Sequence, residues 1–233
     1  MRWLSLGLLV CVAACGRAPD RRGMKPDEVL VQVSATGRTD TRPDEARFTA
    51  GVQSTAGSAG AASTANNAAM TGVMRAVEAS GVKADDVQTR SITLSRIGYG
   101  PERGRYRADN LVEIRVRDLA RASQAIAAAT QAGANVVSGP NLGIADPEAA
   151  SRSAYAAAYR AARARAETYA AAAGLKIVRV LAIRDGGAQA GGTTYDGNMS
   201  MEVQVAATAP PPLRPGMTAS EVRVNADFVL GPR

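Results

Sequence analysis

Few side chains in this sequence could carry out acid/base or nucleophilic chemistry. The chain has 233 residues with no His and two Cys, which excludes Ser-His and Cys-His pairs and His-ligated metal sites. Carboxylates can still act as acids and bases, and the candidate pairs are Asp85 with Asp86 and Asp109 with Glu113. The first pair precedes a predicted strand, and the second faces solvent on another. The sequence therefore favours a non-enzymatic protein over an enzyme.

No cofactor or metal site is predicted either. Gly98, Gly100 and Gly104 do not have the spacing of a dinucleotide-binding loop, and no glycine-rich run is followed by Lys. The carboxylates show no spacing typical of a cation site.

One cysteine has a clear chemical context. Arg2 is followed by the apolar run Trp3 to Ala14 and then by Cys15, and this run is too short to span a bilayer. The segment Val12-Ala13-Ala14-Cys15 resembles a bacterial lipobox, in which the Cys thiol is acylated before cleavage. We expect residues 1–14 to be a lipoprotein signal peptide and Cys15 to be the lipidated first mature residue. The alternatives are an ordinary signal peptide, cut after a small residue, and a core strand.

The residues after Cys15 predict the location of the mature protein. Gly16 stands where Asp would favour the inner membrane, so Gram-negative sorting rules favour an outer-membrane lipoprotein that faces the periplasm. Residues 15–27 form a polar, lipidated tether, and residues 28–230 form the folded domain. Loss of the signal peptide removes Cys11, so the mature chain has no free thiol.

The charge does not predict a nucleic-acid partner. The net charge is +7 and the isoelectric point about 9.9, but the arginines are dispersed among Asp and Glu. No Lys/Arg cluster is combined with stacking aromatic residues. The basic balance is compatible with a location beside an anionic membrane.

The N-terminal half of the domain alternates strands with helices. Period-two patterns predict strands from Val29 to Ala35 and from Ala46 to Val52, which we expect to form a hairpin through the Arg42-Pro43-Asp44 turn. A helix is predicted from Ser58 to Ser80, before Gly81. Val87 to Ile97 is the next predicted strand. The strand from Tyr106 to Arg117 has one apolar and one charged face, which is typical of a sheet covered by helices on one side.

The C-terminal half repeats this alternation. Asp118 is a predicted N-cap for a helix to Ala132, and Asp146-Pro147-Glu148 for a helix to Ala173. We interpret Tyr155, Tyr159 and Tyr169 as packing residues on the second of these helices. The remaining predictions are an extended segment at 135–144, a buried strand at 177–183 and a glycine-rich segment at 186–197. A last strand at 222–230 is predicted to return and pair with the early strands.

These elements predict an α+β fold, mainly antiparallel sheet with three helices packed on one side. With 48 Ala and only 4% aromatic residues, we expect the core to be light.

The order and spacing of several segments resemble the SIMPL domain family of bacterial periplasmic and outer-membrane proteins. The resemblance covers about Glu28 to Leu230, and its segments include 31–37, 86–89, 106–119, 133–139 and 221–230. It implies a mixed α/β domain, an envelope location, assembly into homo-oligomers and a link to oxidative-stress tolerance. It supplies no catalytic residues. The 186–197 segment and the lipid anchor depart from the common pattern.

Two functional hypotheses remain beside the enzyme. The first is a non-enzymatic envelope lipoprotein that acts by self-assembly or by binding an unnamed protein partner. The second is a module that binds anionic lipid or lipopolysaccharide through a basic strand face. That face is predicted to contain Arg103, Arg105, Arg107, Arg115 and Arg117.

Overall fold

The structure is a computed structural model that describes residues 23–190 and 212–233, with the backbone only at 188–190. Cys15, the predicted signal peptide and most of the predicted tether lie outside the described residues, as does the part of the glycine-rich segment after Ala190. No helix among the described residues is long and apolar enough to cross a membrane.

Seven strands and three α-helices follow one another along the described chain. A single turn of 3-10 helix, Ala84–Asp86, precedes the third strand. The elements are β1 Val29–Thr41, β2 Glu45–Ala56, α1 Ala59–Ala79, β3 Val87–Arg96, β4 Tyr106–Val116, α2 Leu119–Gln131, β5 Val136–Gly143, α3 Pro147–Ala172, β6 Leu175–Ala190 and β7 Thr218–Pro232.

The helices begin and end where the sequence predicts. Ser58 Oγ accepts a hydrogen bond from the N–H of Ala61, and Asp118 Oδ1 from that of Ala120. Asp146 Oδ1 accepts from the N–H of Ala149 at 2.8 Å. These side chains satisfy amides that have no partner within the helix. Gly81 and Gly133 follow α1 and α2 with positive φ, which ends the helices.

The strands form two antiparallel sheets. The four-stranded sheet has the order β3-β4-β2-β5, and the three-stranded sheet has the order β1-β7-β6. Helices α1 and α2 pack on the first sheet, and α3 packs on the second. The predicted α+β class is confirmed.

The predicted hairpin of β1 and β2 is wrong. β1 pairs along its whole length with β7, from Val29 opposite Leu230 to Thr41 opposite Thr218, whereas β2 lies between β4 and β5. The turn at 42–44 therefore carries the chain from one sheet to the other. Period-two alternation identifies the buried face of a strand but not its partner strand. The predicted return of the last strand to an early one is confirmed.

The four-stranded sheet encloses the larger core. The predicted alternation of β4 is confirmed, since Val112, Ile114 and Val116 are buried and the intervening residues are partly exposed. Phe48 of β2 and Met70 of α1 are almost completely buried in the same cluster.

The three-stranded sheet packs on α3 through small residues. The buried stripe of α3 consists of Ser151 and alanines at 154, 158, 162, 166 and 170. The predicted tyrosine packing is confirmed for Tyr155 and Tyr159, which are partly buried and pack against the buried residues of this interface. It is corrected for Tyr169, which is 54% exposed. At Gly37 an added Cβ would lie 2.0 Å from the carbonyl oxygen of Ala154. Beside Gly37 the helix lies too close to the sheet for an aromatic ring, whereas further along α3 the ring of Phe228 is buried against Ala162 and Ala166.

The predicted buried strand at 177–183 is also corrected. It is the edge strand β6, which extends to Ala190, and Val178, Val180 and Ile183 are substantially exposed. An apolar run without clear alternation predicts a strand that is covered on both faces. Within 23–190 and 212–233, however, α3 is the helix that packs on β6, and no second element covers its other face.

Candidate interaction surface

The predicted basic face lies along β4 and its two flanks. Arg107 and Arg115 belong to β4 and alternate with its buried residues. Arg103 and Arg105 precede the strand, and Arg117 follows it.

Three of these five arginines are neutralised by acidic partners. Arg105 pairs with Glu102 at 2.6 Å, and Arg117 pairs with Asp86 at 2.7 Å. Arg115 donates to Glu45 at 2.7 Å. Ion pairs of this kind leave little net positive charge on the surface, so the face has a mixed rather than a basic character.

Two buried carboxylates determine this charge balance. Burial raises the pKa of Glu45, but hydrogen bonds from Arg115 and Arg47 outweigh it, and the pKa is lower than usual. The bidentate hydrogen bonds of Arg117 lower the pKa of Asp86 against the opposing effect of burial. Both groups are therefore anionic at neutral pH and hold their arginines in place.

Arg103 and Arg107 differ from the other three. Neither forms an ion pair within the described part of the chain. Arg107 Nε is buried and has no hydrogen-bond partner there. These two side chains are what remains of the predicted strip.

Three of the four carboxylates predicted as possible acids and bases are occupied by structural contacts, and the fourth, Asp85, is exposed. Asp86 binds Arg117, and Asp109 accepts a hydrogen bond from the Gln53 amide at 2.8 Å. Glu113 lies 3.0 Å from Arg90. The cleft beside Asp86 has a volume of about 110 Å³, which is small beside the roughly 300 Å³ of an ordinary ligand pocket. The arrangement stabilises the sheet and offers no substrate pocket at these residues.

A different surface, at β3, was missed by sequence reasoning. β3 lies at the edge of the four-stranded sheet and, within the described residues, pairs only with β4. Every residue from Gln88 to Arg96 is exposed, including Ile92 at 70% and Leu94 at 48%. The alternation of Ile92 and Leu94 with Ser and Thr predicts a strand with an apolar face, but it does not show that this face lacks a cover.

The register of β3 places its two apolar side chains on the helix side of the sheet. Ile92 is opposite Asn110 and Leu94 is opposite Ala108, and both β4 partners are buried. A register shift between Thr89 and Ser91 marks a bulge, after which the strand extends past the cover of the helices.

A buried polar pair lies beneath this apolar edge. Asn66 of α1 donates to the carbonyl oxygens of Val52 and Ala108, at 2.7 and 2.9 Å. Asn110 is only 8% exposed, and its Oδ1 has no hydrogen-bond partner in the described chain. An unpaired acceptor of this kind costs free energy unless another group donates to it. We name Ile92, Leu94 and Asn110 the β3 shelf.

Comparison with known proteins identifies the family of this chain. The model of the SIMPL family, a protein of unknown function (DUF541), matches residues 31–228. The chain is similar to the 26 kDa periplasmic immunogenic protein of Brucella melitensis biotype 1, with 30% identity over 171 residues, 70% of this chain and 68% of the relative. The protein of the same name from Brucella abortus strain S19 matches with the same identity and coverage. The chain belongs to the SIMPL family.

Proposed function

We propose that this protein is a non-enzymatic cell-envelope lipoprotein, anchored through Cys15 to the outer membrane and facing the periplasm, that acts by self-assembly. The β3 shelf is the observation that carries the proposal. The periplasmic relatives support the location, and the lipobox resemblance supports the anchor. The link to oxidative-stress tolerance stays an expectation from the family resemblance.

The free edge of β3 has the chemistry of a strand-pairing surface. An edge strand presents unpaired N–H and C=O groups, and natural proteins usually protect such edges with charge, bulges or a cover. Here Arg90 and Arg96 flank the edge, but residues 91–95 carry no charge. Full burial of an Ile or Leu side chain contributes about 1.5 to 3 kcal/mol.

The occupant that best fits this edge is the β3 strand of a second copy. If a twofold axis passes through Thr93, antiparallel pairing places Ile92 of each copy opposite Leu94 of the other. Ser91 then lies opposite Ser95, and the like charges that this register sets opposite each other, Arg90 and Arg96, lie just outside the uncharged stretch 91–95. Arg90 is held on the other face by Glu113 at 3.0 Å and stays out of the apolar contact. The two four-stranded sheets would form one continuous sheet.

The test compares two free edges of the molecule. Ile92→Lys with Leu94→Lys introduces charge on β3, and Val180→Lys with Ile183→Lys is the matched control on the exposed edge β6. Native mass spectrometry and light scattering should give an oligomer for the wild type and the β6 control. The β3 variant should be smaller. A wild type that remains monomeric at high concentration contradicts self-assembly.

A covalent crosslink tests the register. The mature chain has no free thiol, so Thr93→Cys introduces a single reactive cysteine. Directly opposed strand residues have Cα atoms about 4.5 to 5.5 Å apart, which a disulfide can bridge. We expect a disulfide-linked dimer on mild oxidation, with Ile183→Cys on β6 as the unlinked control. If the protein assembles but crosslinks through the Ile183→Cys variant and not through Thr93→Cys, self-assembly is retained and the interface lies at β6 of the three-stranded sheet instead.

The alternative function is binding of anionic envelope lipid or lipopolysaccharide through the predicted arginine face. The buried, unpaired Nε of Arg107 favours it, whereas the ion pairs of Arg105, Arg115 and Arg117 weaken it. Salt-dependent binding to anionic vesicles is the measurement. Charge reversal of Arg103 and Arg107 should abolish binding if this function is correct.

A further inference from the structure

The N-terminal segment of the domain is fixed against β6. Arg179 Nη1 lies 2.6 Å from Glu28 Oε1, and Arg179 Nη2 donates to the carbonyl oxygen of Gly23 at 3.1 Å. The amide of Lys25 donates to the other carboxylate oxygen of Glu28 at 2.9 Å. The Glu28 side chain is only 5% exposed. Residues 23–27 belong to the predicted tether, and Glu28 is the first residue of the predicted domain. These contacts fix the point at which the tether joins the folded domain.

This attachment point lies at one end of the three-stranded sheet. Val29 is opposite Leu230 on β7, and Leu230 is opposite Ile177 on β6. Lys176 lies one row further out, opposite Gly231, and Arg233 Nε donates to the carbonyl oxygen of Leu175 at 3.4 Å. The last turn of α3 reaches the same end, since α3 stops at Ala172 and β6 begins at Leu175.

The side chains exposed at this end combine apolar and basic character. Val29, Val178 and Tyr169 are each exposed by half or slightly more. The basic residues Lys25, Lys176 and Arg233 are exposed beside these apolar side chains, together with the acidic residue Asp27. We name the tether end by these members: Lys25, Val29, Tyr169, Lys176, Val178 and Arg233.

This combination fits the headgroup layer of a bilayer. Tyr and Lys or Arg are common at membrane interfaces, where apolar parts reach the acyl boundary and charged groups remain hydrated. Basic residues near an anionic surface are attracted to it. The tether end therefore has the chemistry of a lipid contact.

The length of the tether keeps this end close to the membrane. Eight residues, 15–22, separate the start of the mature chain from Gly23, and a fully extended chain spans at most about 3.6 Å per residue, or about 29 Å. The β1 and β7 ladder extends for 13 residue pairs, which is about 40 Å at roughly 3.3 Å per residue. Even when fully extended, the tether is shorter than the β1–β7 ladder. Gly23 must therefore lie closer to the bilayer than the length of that ladder.

We propose that the tether end sits on the headgroup layer of the membrane that holds Cys15, with Arg179 as the positioning residue that fixes this orientation. The proposal rests on the lipid anchor of the proposed function. The partner is the phospholipid surface itself, contacted by the folded domain as well as by the acyl chains.

The experiment uses the full lipidated protein in vesicles of phosphatidylethanolamine and phosphatidylglycerol. A single cysteine replaces Val178 at the tether end or Met217 at the other end of the sheet, where β7 begins. Both side chains are similarly exposed, so they form a matched pair. Each cysteine carries an environment-sensitive fluorophore, and the lipids carry a headgroup quencher. Fatty-acid labelling, with Cys15→Ser as control, measures the anchor separately.

We expect several-fold stronger quenching at position 178 than at position 217, and loss of this difference in Arg179→Gln. Lys176→Glu with Arg233→Glu should reduce it, with circular dichroism to confirm folding. Equal quenching at both positions in an acylated protein overturns the orientation and leaves the anchored function intact. Absence of fatty acid on Cys15 overturns the anchor and this orientation together.

Discussion

The two sheets solve the same packing problem with side chains of different size. The four-stranded sheet meets its helices through residues such as Phe48, Met70 and Ile114. The three-stranded sheet meets α3 largely through alanines, and at Gly37 the helix backbone lies in the space of a missing Cβ. The first interface gains stability from buried area and the second from close approach. The first should therefore be sensitive to loss of volume and the second to gain of volume.

The largest expected effect is loss of volume in the four-stranded sheet. Phe48 is 1% exposed, and Phe48→Ala should lower the free energy of unfolding by about 3 to 5 kcal/mol because it removes buried area and leaves a cavity. Urea unfolding followed by circular dichroism measures this. A loss below about 1 kcal/mol would show that the sheet collapses around the cavity, and the contrast between the sheets would fail.

Gain of volume is the reverse test on the other sheet. In Gly37→Ala the new Cβ would lie 2.0 Å from the Ala154 carbonyl oxygen and 2.5 Å from the Ala158 nitrogen. The helix must move, which should cost about 3 kcal/mol. Gly57→Ala is the control, since nothing lies within 4 Å of its added Cβ. The same unfolding assay should show little change for the control. Similar stability of the two variants would contradict the close-packed interface.

The polar link between α1 and its sheet gives a smaller effect. Asn66→Ala removes the donor to the carbonyls of Val52 and Ala108 and should cost about 2 kcal/mol, because buried acceptors lose their partner. Asn67→Ala is the matched control one residue away, where the side chain is exposed. The corresponding link from α3, a hydrogen bond from Arg165 to the carbonyl oxygen of Ser34, is exposed, so its loss should cost less. Equal thermal stability of the two variants would argue against the role of Asn66.

The smallest expected effect is a pH dependence of the four-stranded sheet. The folded-state pKa of Glu45 is lower than its unfolded value, so its stabilising contribution is complete above the unfolded pKa, near 4.3. It is lost as pH falls through the folded pKa. Glu45→Gln should make the melting temperature less dependent on pH below about 5. An unchanged acid slope in this variant would assign the acid sensitivity to other carboxylates such as Asp86.

The sequence predicts local structure better than long-range contacts. The caps at Ser58, Asp118 and Asp146 and the faces of β4 follow from neighbouring residues, and they are confirmed. The partner of β1 lies almost 190 residues away, and nothing within the strand specifies it. The tyrosines of α3 mark an apolar flank, but the helix-to-sheet distance depends on glycine and alanine in β1 and β7.

The candidate surface was predictable only in part for the same reason. Spacing alone places Arg107 and Arg115 on one face of β4, but Glu45 is 70 residues from Arg115 in the chain, so their pairing could not be inferred. The exposure of Ile92 depends on the absence of a neighbouring strand in the described sheet, which is a property of topology. The lipidation of Cys15 lies outside the described residues and stays a prediction.

The pairing of β1 with β7 also determines how the domain responds to mechanical load. The N-terminal end of β1 and the C-terminal end of β7 lie side by side, at Val29 and Leu230. A force that pulls the two ends of the domain apart would act across the ladder and break its hydrogen bonds one after another. β1 has no other strand neighbour among the described strands, so it could peel from β7 while the four-stranded sheet stays intact. Before this ladder opens, the contacts of Arg179 with Gly23 and Glu28 must break, which makes this arginine the first mechanical link between an N-terminal attachment and the fold.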